Sequence, residues 1–199
     1  DAGGFIGRAA GKISVDNCHA DVHLSAAANP GSNFRYGGLI GFAATIGGDD
    51  KTRDQLTITK CSTKGTIFND SYSTQTAAGL IAYINTPTSN ISECYTEMNI
   101  TGGRTTEPGE GGNMGCCGGV SGIVSVAETC NISNCYSTAE TFIAGQKSGG
   151  LVGCLEKGVL NIENCYSTAN MHVYSGAGGL FGQKKEPGEL KMTNSFAWN

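Results

Sequence analysis

Apolar and polar residues alternate along much of this chain, with the spacing of extended strands. Leu160 and Ile162 are two residues apart, as are Met171 and Val173, and no segment repeats apolar residues every three to four positions. A period of two is typical of β-strands, whereas helices need a period near 3.6. The pattern therefore predicts an all-β protein built from short strands.

Two motifs recur in alternation. In the first, a pentapeptide, glycine or alanine brackets residues that are mostly apolar; it occurs at 3–7, 37–41, 78–82, 118–122, 149–153 and 178–182. The second has two apolar residues two positions apart and a cysteine three positions later: Ile13/Val15/Cys18, Leu56/Ile58/Cys61, Cys130/Ile132/Cys135 and Leu160/Ile162/Cys165. Ile91/Cys94 keeps part of the motif, and Leu190/Met192/Ser195 has serine for cysteine. Such recurrence indicates a repeat protein.

The motifs also predict the fold. The last two complete repeats are about 30 residues long, and each holds three strand-like segments, such as GGLVGCL, VLNIENC and CYSTANMHV. Three strands and three corners in that length make one coil of a parallel β-helix, whose coils stack about 4.8 Å apart. Parallel crossovers are right-handed. We therefore expect residues 1–199 to form one domain, a right-handed parallel β-helix (β-solenoid) of about five to six coils with loop inserts.

Asparagine and glycine mark the expected corners. Asn17, Asn134 and Asn164 each come directly before a cysteine of the second motif, where the strand alternation slips by one residue. Asparagine tolerates the left-handed backbone conformation better than most residues, and glycine adopts it freely. We predict that these three residues redirect the chain.

Six of the nine cysteines follow the repeat. One position per coil is expected to face the interior as a structural ladder: Cys18, Cys61, Cys94, Cys135, Cys165 and Ser195. Reduced cysteine packs as a small apolar residue, so a ladder of free thiols is favoured, with Cys130 also in the core. Disulfides between adjacent rungs are an alternative, and Cys116, Cys117 and Cys154 stay unassigned. A zinc site is not favoured, because the chain has no C-x-x-C pair.

The motifs resemble a known bacterial repeat. Residues 131–154 (NISNCYSTAETFIAGQKSGGLVGC) and 161–182 (NIENCYSTANMHVYSGAGGLFG) are similar to the GLUG repeat, a surface module named for its Gly-Leu-any-Gly core. Earlier copies match through GGFIG, GGLIG, AGLIA and NISECYTE. The resemblance implies an adhesin-like protein, extracellular or on the bacterial cell surface. GLUG repeats also occur as non-catalytic parts of large proteins such as IgA-specific metallopeptidases, and the family supplies no catalytic residues or cofactor.

Composition and charge exclude or argue against several classes of protein. The chain has 31 glycines and 4 prolines without a three-residue period, which excludes collagen. A net charge of -4 argues against a nucleic-acid partner. No apolar run reaches about 18 residues, so we expect no transmembrane segment in this chain. Because the repeat is incomplete at NSFAWN, we expect a fragment of a longer protein that contacts further repeats end to end.

Patterns for catalysis and metal binding are weak. HADVH at 19–23 lacks the glutamate of the H-E-x-x-H zinc motif, and on a strand its side chains form a row rather than a converging set. Three histidines leave little room for a nucleophile–base–acid triad. A carbohydrate-processing β-helix would need two carboxylates on one face, and Glu97, Glu140 and Glu163 lie in different coils. We expect no enzyme.

An aromatic column is one candidate for ligand binding. The residue that follows the ladder position is aromatic in four coils, so Tyr95, Tyr136, Tyr166 and Phe196 should stack on the outside. Aromatic faces bind sugar rings or partner proteins, although stacking between coils is the commoner reason for such a column.

Inserts are the other candidate. Extra residues near 26–36, 68–77 and 101–117 follow the third strand of successive coils and should gather along one edge, whereas 43–55 leaves at another corner. Together with the three tyrosines above, the expected ligand residues are Asn33, Arg35, Tyr36, Tyr72, Arg104, Glu107 and Glu110.

We therefore expect a non-enzymatic adhesion module that recognises an unidentified host glycan or protein through insert loops. The alternatives are a non-catalytic region of a large secreted peptidase and a carbohydrate-processing β-helix.

Overall fold

The computed structural model describes residues 1–26, 34–45, 54–69, 75–102, 114–140 and 142–198. These residues form 23 β-strands and contain no helix. The all-β prediction is therefore confirmed for this part of the chain. Accordingly, none of its elements is a helix with the length and apolarity to cross a membrane.

Most strands have two to eight residues, and two strands in the second half of the chain are longer, with 13 and 12 residues. In chain order, the first twelve are β1 (Ala2–Gly3), β2 (Ile6–Ala10), β3 (Ile13–Asp16), β4 (His19–Ala26), β5 (Phe34–Gly37), β6 (Ile40–Ala44), β7 (Gln55–Thr59), β8 (Ser62–Asn69), β9 (Gln75–Ala78), β10 (Ile81–Asn85), β11 (Thr88–Ser92) and β12 (Tyr95–Gly102). The rest are β13 (Met114–Gly118), β14 (Ser121–Ser133), β15 (Tyr136–Ser137), β16 (Phe142–Gln146), β17 (Ser148–Gly149), β18 (Val152–Glu163), β19 (Tyr166–Ser167), β20 (Met171–Ser175), β21 (Phe181–Lys184), β22 (Glu189–Thr193) and β23 (Phe196–Ala197).

These strands form three sheets, and their pairings are parallel. Sheet 1 has the order β1-β5-β9-β13-β17. In sheet 2, β2-β6-β10 pairs with the first half of β14 and β3-β7-β11 with its second half, while β18 lies next to β14 and pairs with β21 and β22. Sheet 3 contains β4, β8, β12, β15, β16, β19, β20 and β23. Parallel pairing is thus confirmed as well.

The chain visits the sheets in a recurring order. The six passes, here called rungs 1 to 6, are β1–β4, β5–β8, β9–β12, β13–β16, β17–β20 and β21–β23. Equivalent residues Cys135 and Cys165 are 30 residues apart, as are Cys165 and Ser195, whereas Cys18 and Cys61 are 43 apart. The longer spacing includes residues outside the described ranges, and the strands on either side of them still pair in register.

The core consists of rows of apolar side chains, each row taking one residue from each of several successive rungs. Ile58, Ile91, Ile132 and Ile162 form such a row in sheet 2 and are at most 1% exposed. A second cluster, which includes Ile100, lies behind sheet 3. Each fully buried side chain of this size stabilises the fold by about 1.5–3 kcal/mol.

Glycine is required where sheet 1 leads into sheet 2, because a side chain from sheet 3 occupies the space of a Cβ. A Cβ on Gly119 would overlap Ser137 Oγ and the Gly150 carbonyl oxygen. Gly79 faces Thr96 in the same way. Ser137 and Thr96 each lie two residues after a ladder cysteine, so the two sequence motifs are packing partners.

Corner residues in the left-handed conformation precede the ladder position. Asn17, Asn134 and Asn164 have φ values of 51°, 52° and 51°, which confirms the predicted corners. The structure adds three further residues at the same corner: Lys60 (54°), Glu93 (54°) and Asn194 (48°). Lysine and glutamate pay more steric energy than asparagine in this conformation.

Candidate functional site

The outer surface of sheet 3 carries side chains in columns that run across the rungs. Along β12, Met98 and Ile100 are buried, whereas the alternating Tyr95, Glu97 and Asn99 lie outside. Pairing sets each outer residue beside its equivalent in the next rung. We call this surface the column face, and its residues are His19, Asp21, Ser62, Lys64, Tyr95, Glu97, Asn99, Tyr136, Thr138, Glu140, Tyr166 and Phe196.

Four aromatic rings stack in the central column. The ring centroids are 5.1 Å apart for Tyr95 and Tyr136, 4.9 Å for Tyr136 and Tyr166, and 5.4 Å for Tyr166 and Phe196, with planes within 9° of parallel. Burial in the stack raises the pKa of Tyr136. Because Tyr136 and Tyr166 have a ring on each side, only their hydroxyl-bearing edges are free for a ligand.

The column ends at Ser62, which leaves one face of the Tyr95 ring without an aromatic neighbour. Tyr95 pairs with Ser62, and Ser62 pairs with His19. The resulting depression is lined by His19, Ala20, Asp21, Ser62, Lys64 and Tyr95. We call it the serine notch.

Polar groups surround the serine notch. His19 Nδ1 lies 2.7 Å from Ser62 Oγ, and Lys64 Nζ donates to Asp21 Oδ2 over 3.1 Å. The hydrogen bond with Asp21 raises the pKa of the Lys64 ammonium. The Asp21 and Lys64 side chains are 58% and 61% exposed, so both can bind a ligand. The notch therefore combines one free aromatic face with a negatively charged carboxylate and a positively charged ammonium group, both of which form hydrogen bonds.

A second depression lies farther along the column face. It is lined by Glu97, Asn99, Thr138 and Glu140, so two carboxylates from neighbouring rungs share one surface. Both glutamates are exposed. Glu97 and Glu140 are far apart in the sequence, and it is the pairing of rungs 3 and 4 that brings them to one surface.

The histidine row of β4 does not converge on a metal. His19 is bound to Ser62, Asp21 to Lys64, and His23 Nδ1 lies 2.9 Å from Thr66 Oγ1. Within the described ranges no group of three or more His, Cys, Asp or Glu side chains is placed to hold a metal ion.

Two expected ligand residues lie away from the column face. Tyr36, expected at the surface, is only 7% exposed and packs in the second core cluster; this prediction is wrong, because β5 turns that side chain inward. Burial raises its pKa. Arg35 is half-buried on the other side of β5, where its guanidinium lies 4.3 Å from the Phe42 ring centroid and 4.8 Å from that of Tyr83.

The ladder cysteines stack through backbone-to-sulfur hydrogen bonds. The amides of Cys18, Cys61 and Cys135 each donate to the sulfur of the next ladder residue over 3.4 Å, and the Cys165 amide donates to Ser195 Oγ. The thiols from Cys61 to Cys165 are buried, and Cys18 at the first rung is partly buried. Cys130 is fully buried, as predicted.

One pair of cysteines outside the ladder forms a disulfide. Cys116 in β13 is bonded to Cys154 in β18, 38 residues away, with a Cα–Cα distance of 5.5 Å. Ile123 and Tyr83 pack around the bond. Cys117, the next residue, is a free buried thiol, and burial raises its pKa to about 12.

The remaining expected ligand residues fall outside the described ranges: Asn33, Tyr72, Arg104, Glu107 and Glu110. Sequence reasoning missed Ser62, Asp21 and Lys64 as site residues. The sequence does contain a signal for this site. Ser62 occupies the position after the ladder cysteine, which is aromatic in rungs 3 to 6.

Comparison with known proteins adds no relative to this picture. Scans against protein-family models, curated proteins and solved structures each find no match for this chain.

Proposed function

We propose that the chain is a right-handed parallel β-solenoid of GLUG-like repeats that acts as a non-enzymatic glycan-binding module on a bacterial surface. The recurring order of sheets and the parallel pairing of equivalent residues support the solenoid. Right-handed connections are the rule for parallel strands in one sheet.

The column face is the observation that carries the proposed binding function. It places tyrosine hydroxyls in a row about one strand spacing apart, next to the carboxylates and amide of the second depression. A ligand that repeats along its length, as a polysaccharide does, can bind such a periodic surface at several rungs.

An extracellular location is part of the proposal. The disulfide between Cys116 and Cys154 supports it, because disulfides persist in oxidising compartments. The ladder thiols from Cys61 to Cys165 are buried and so are protected from oxidants there. The GLUG resemblance points to the same location.

Insert loops remain a proposed second contact region. The strands that flank 27–33, 70–74 and 103–113 leave sheet 3 and enter sheet 1 at equivalent positions. Deleting 103–113 tests this region separately from the column face.

A carbohydrate-processing enzyme is the second candidate, favoured by the shared depression of Glu97 and Glu140. Glycoside hydrolysis needs one carboxyl group that stays protonated, which requires burial or a close negative partner. Both side chains are exposed, so binding is the better supported role. The other alternative, that the chain is a non-catalytic region of a large secreted peptidase, is supported only by the resemblance to GLUG repeats.

The test is a glycan array and a host-protein array probed with the whole chain. The triple variant Y95F/Y136F/Y166F keeps the stacked rings and removes three hydroxyls, so we expect about tenfold weaker glycan binding. The matched control is N90S/N131S/N161S, which disrupts the hydrogen-bonded asparagine row on sheet 2. Equal binding by both variants, binding to proteins alone, or hydrolysis lost in E97Q/E140Q would each overturn the proposal.

A further inference from the structure

The serine notch lies where the aromatic stack lacks its next ring, because Ser62 pairs with Tyr95. Strands stack about 4.8 Å apart, so β4 and β12 are about 9.6 Å apart with β8 between them. A ring above Ser62 would sit one strand spacing from Tyr95, as Tyr136 sits 4.9 Å from Tyr166. Ser62 itself is only 7% exposed, so a ring stacked on the free face of Tyr95 would lie over Ser62, between the exposed side chains of His19, Asp21 and Lys64.

Polar neighbours decide which ring fits. The Asp21 carboxylate accepts hydrogen bonds, the Lys64 ammonium donates them, and His19 lies on the far side of Ser62. A phenyl ring from a protein ligand would leave these groups unused. A pyranose has an apolar C–H face for Tyr95 and hydroxyls on its rim for Asp21 and Lys64.

We infer that the serine notch binds one pyranose ring, stacked on Tyr95 in the place of the missing aromatic residue and held through its hydroxyls by Asp21 and Lys64. This inference rests on the proposed glycan-binding function and names its first sugar position. The carboxylate depression of Glu97 and Glu140, on the same strand β12, would then receive the neighbouring sugar of the chain.

The decisive variant fills the notch without harming the fold. S62Y adds a ring to the stack, so we expect it to melt no lower than the wild type while it loses the ligand. The matched control is T168Y, which adds a tyrosine at an exposed position between β19 and β20, in rung 5, whereas Ser62 lies in rung 2. D21N removes the carboxylate acceptor and leaves the ring face, and should weaken binding about tenfold.

Saturation-transfer NMR with methyl β-D-galactopyranoside and methyl β-D-glucopyranoside measures the binding directly. We expect transfer to the sugar C–H protons with the wild type and T168Y, and at least about tenfold less with S62Y. Equal saturation transfer with wild type and S62Y would overturn the proposed sugar binding at the serine notch. So would transfer to N-acetyl-tyrosine amide but to neither glycoside.

The glycan array separates the notch from the wider function. If wild type and S62Y bind the same arrayed glycans equally, the proposed sugar site at the serine notch is wrong, whereas the proposed glycan-binding function is retained. If the wild type binds no glycan, both proposals are wrong.

Discussion

The outer corner between sheets 1 and 2 is tied in two chemically different ways. In rungs 1 to 3, Arg35 stacks against the rings of Phe42 and Tyr83 and pairs with Asp1 at 3.0 Å. In rungs 4 and 5, equivalent strands are joined by the disulfide between Cys116 and Cys154.

The comparison shows that the repeat specifies the backbone and leaves the chemistry of the corner free. Phe42, Tyr83, Ile123 and Cys154 are successive partners in one ladder of sheet 2, although their side chains differ completely. What they share is a position facing sheet 1, where any contact that holds two strands together is useful.

Removing the covalent tie has the largest expected effect. C116A/C154A opens a cross-link between residues 38 apart, which should cost about 3–4 kcal/mol and lower Tm by about 10 °C. Thermal melts with and without reductant check it. Reductant should lower the Tm of the wild type and leave the variant unchanged; a wild type indifferent to reductant contradicts the disulfide.

The interior contact behind the corner should be equally sensitive in both regions. G38A and G119A each place a Cβ on a backbone oxygen and a sheet 3 side chain, so each should cost about 3 kcal/mol. The control is G7A, whose Cβ would lie 3.1 Å from the Asp1 carbonyl oxygen and meet no side chain. Chemical denaturation measures all three, and a G119A variant as stable as G7A would refute this packing.

Breaking the non-covalent tie should cost less. R35A removes two ring contacts and one half-buried ion pair, for which we expect a loss of about 2 kcal/mol. R35K keeps the charge without the planar group and should recover less than half of that loss. A lysine variant as stable as the wild type would show that charge alone holds this corner.

Alkaline pH should weaken the cysteine-rich rungs. Burial raises the pKa of Cys130 from 9.0 to about 12, so the folded protein holds this proton more tightly than the unfolded chain. Stability is therefore complete below pH 9 and falls by about 1.4 kcal/mol per pH unit between 9 and 12.

Thermal melts of C130V and wild type at pH 8 and pH 10 test this. The variant should lose about 1.4 kcal/mol less between the two pH values. Identical losses would show that Cys130 does not ionise on unfolding in this range.

Corner residues give the smallest effect. K60N and E93N place asparagine at left-handed corners of rungs 2 and 3, as in rungs 4 and 5, and each should stabilise by about 0.5–1 kcal/mol. N164K makes the reverse change and should destabilise by a similar amount. Chemical denaturation of the three single variants checks both directions, and a gain in N164K would contradict the steric explanation.

Much of the fold could be predicted because its signals are local. Strand alternation, the asparagine corners and the core position of Cys130 each depend on a few neighbouring residues. Tyr36 was misplaced because β5 has four residues between an insert and a glycine turn, too few to show which alternate residues face inward. The disulfide could not be predicted either, because Cys116 and Cys154 belong to neither motif and lie 38 residues apart in the sequence.

The site depended on contacts between rungs. Glu97 and Glu140 share a depression, and Ser62 lies between His19 and Tyr95, only because strands from different rungs pair in one register. By itself the sequence determined the strands, their corners and the repeat, since period and turn chemistry act over a few residues. The tertiary structure alone decided which side chains meet across rungs, because that depends on how 30 to 43 residues of intervening chain close each pass.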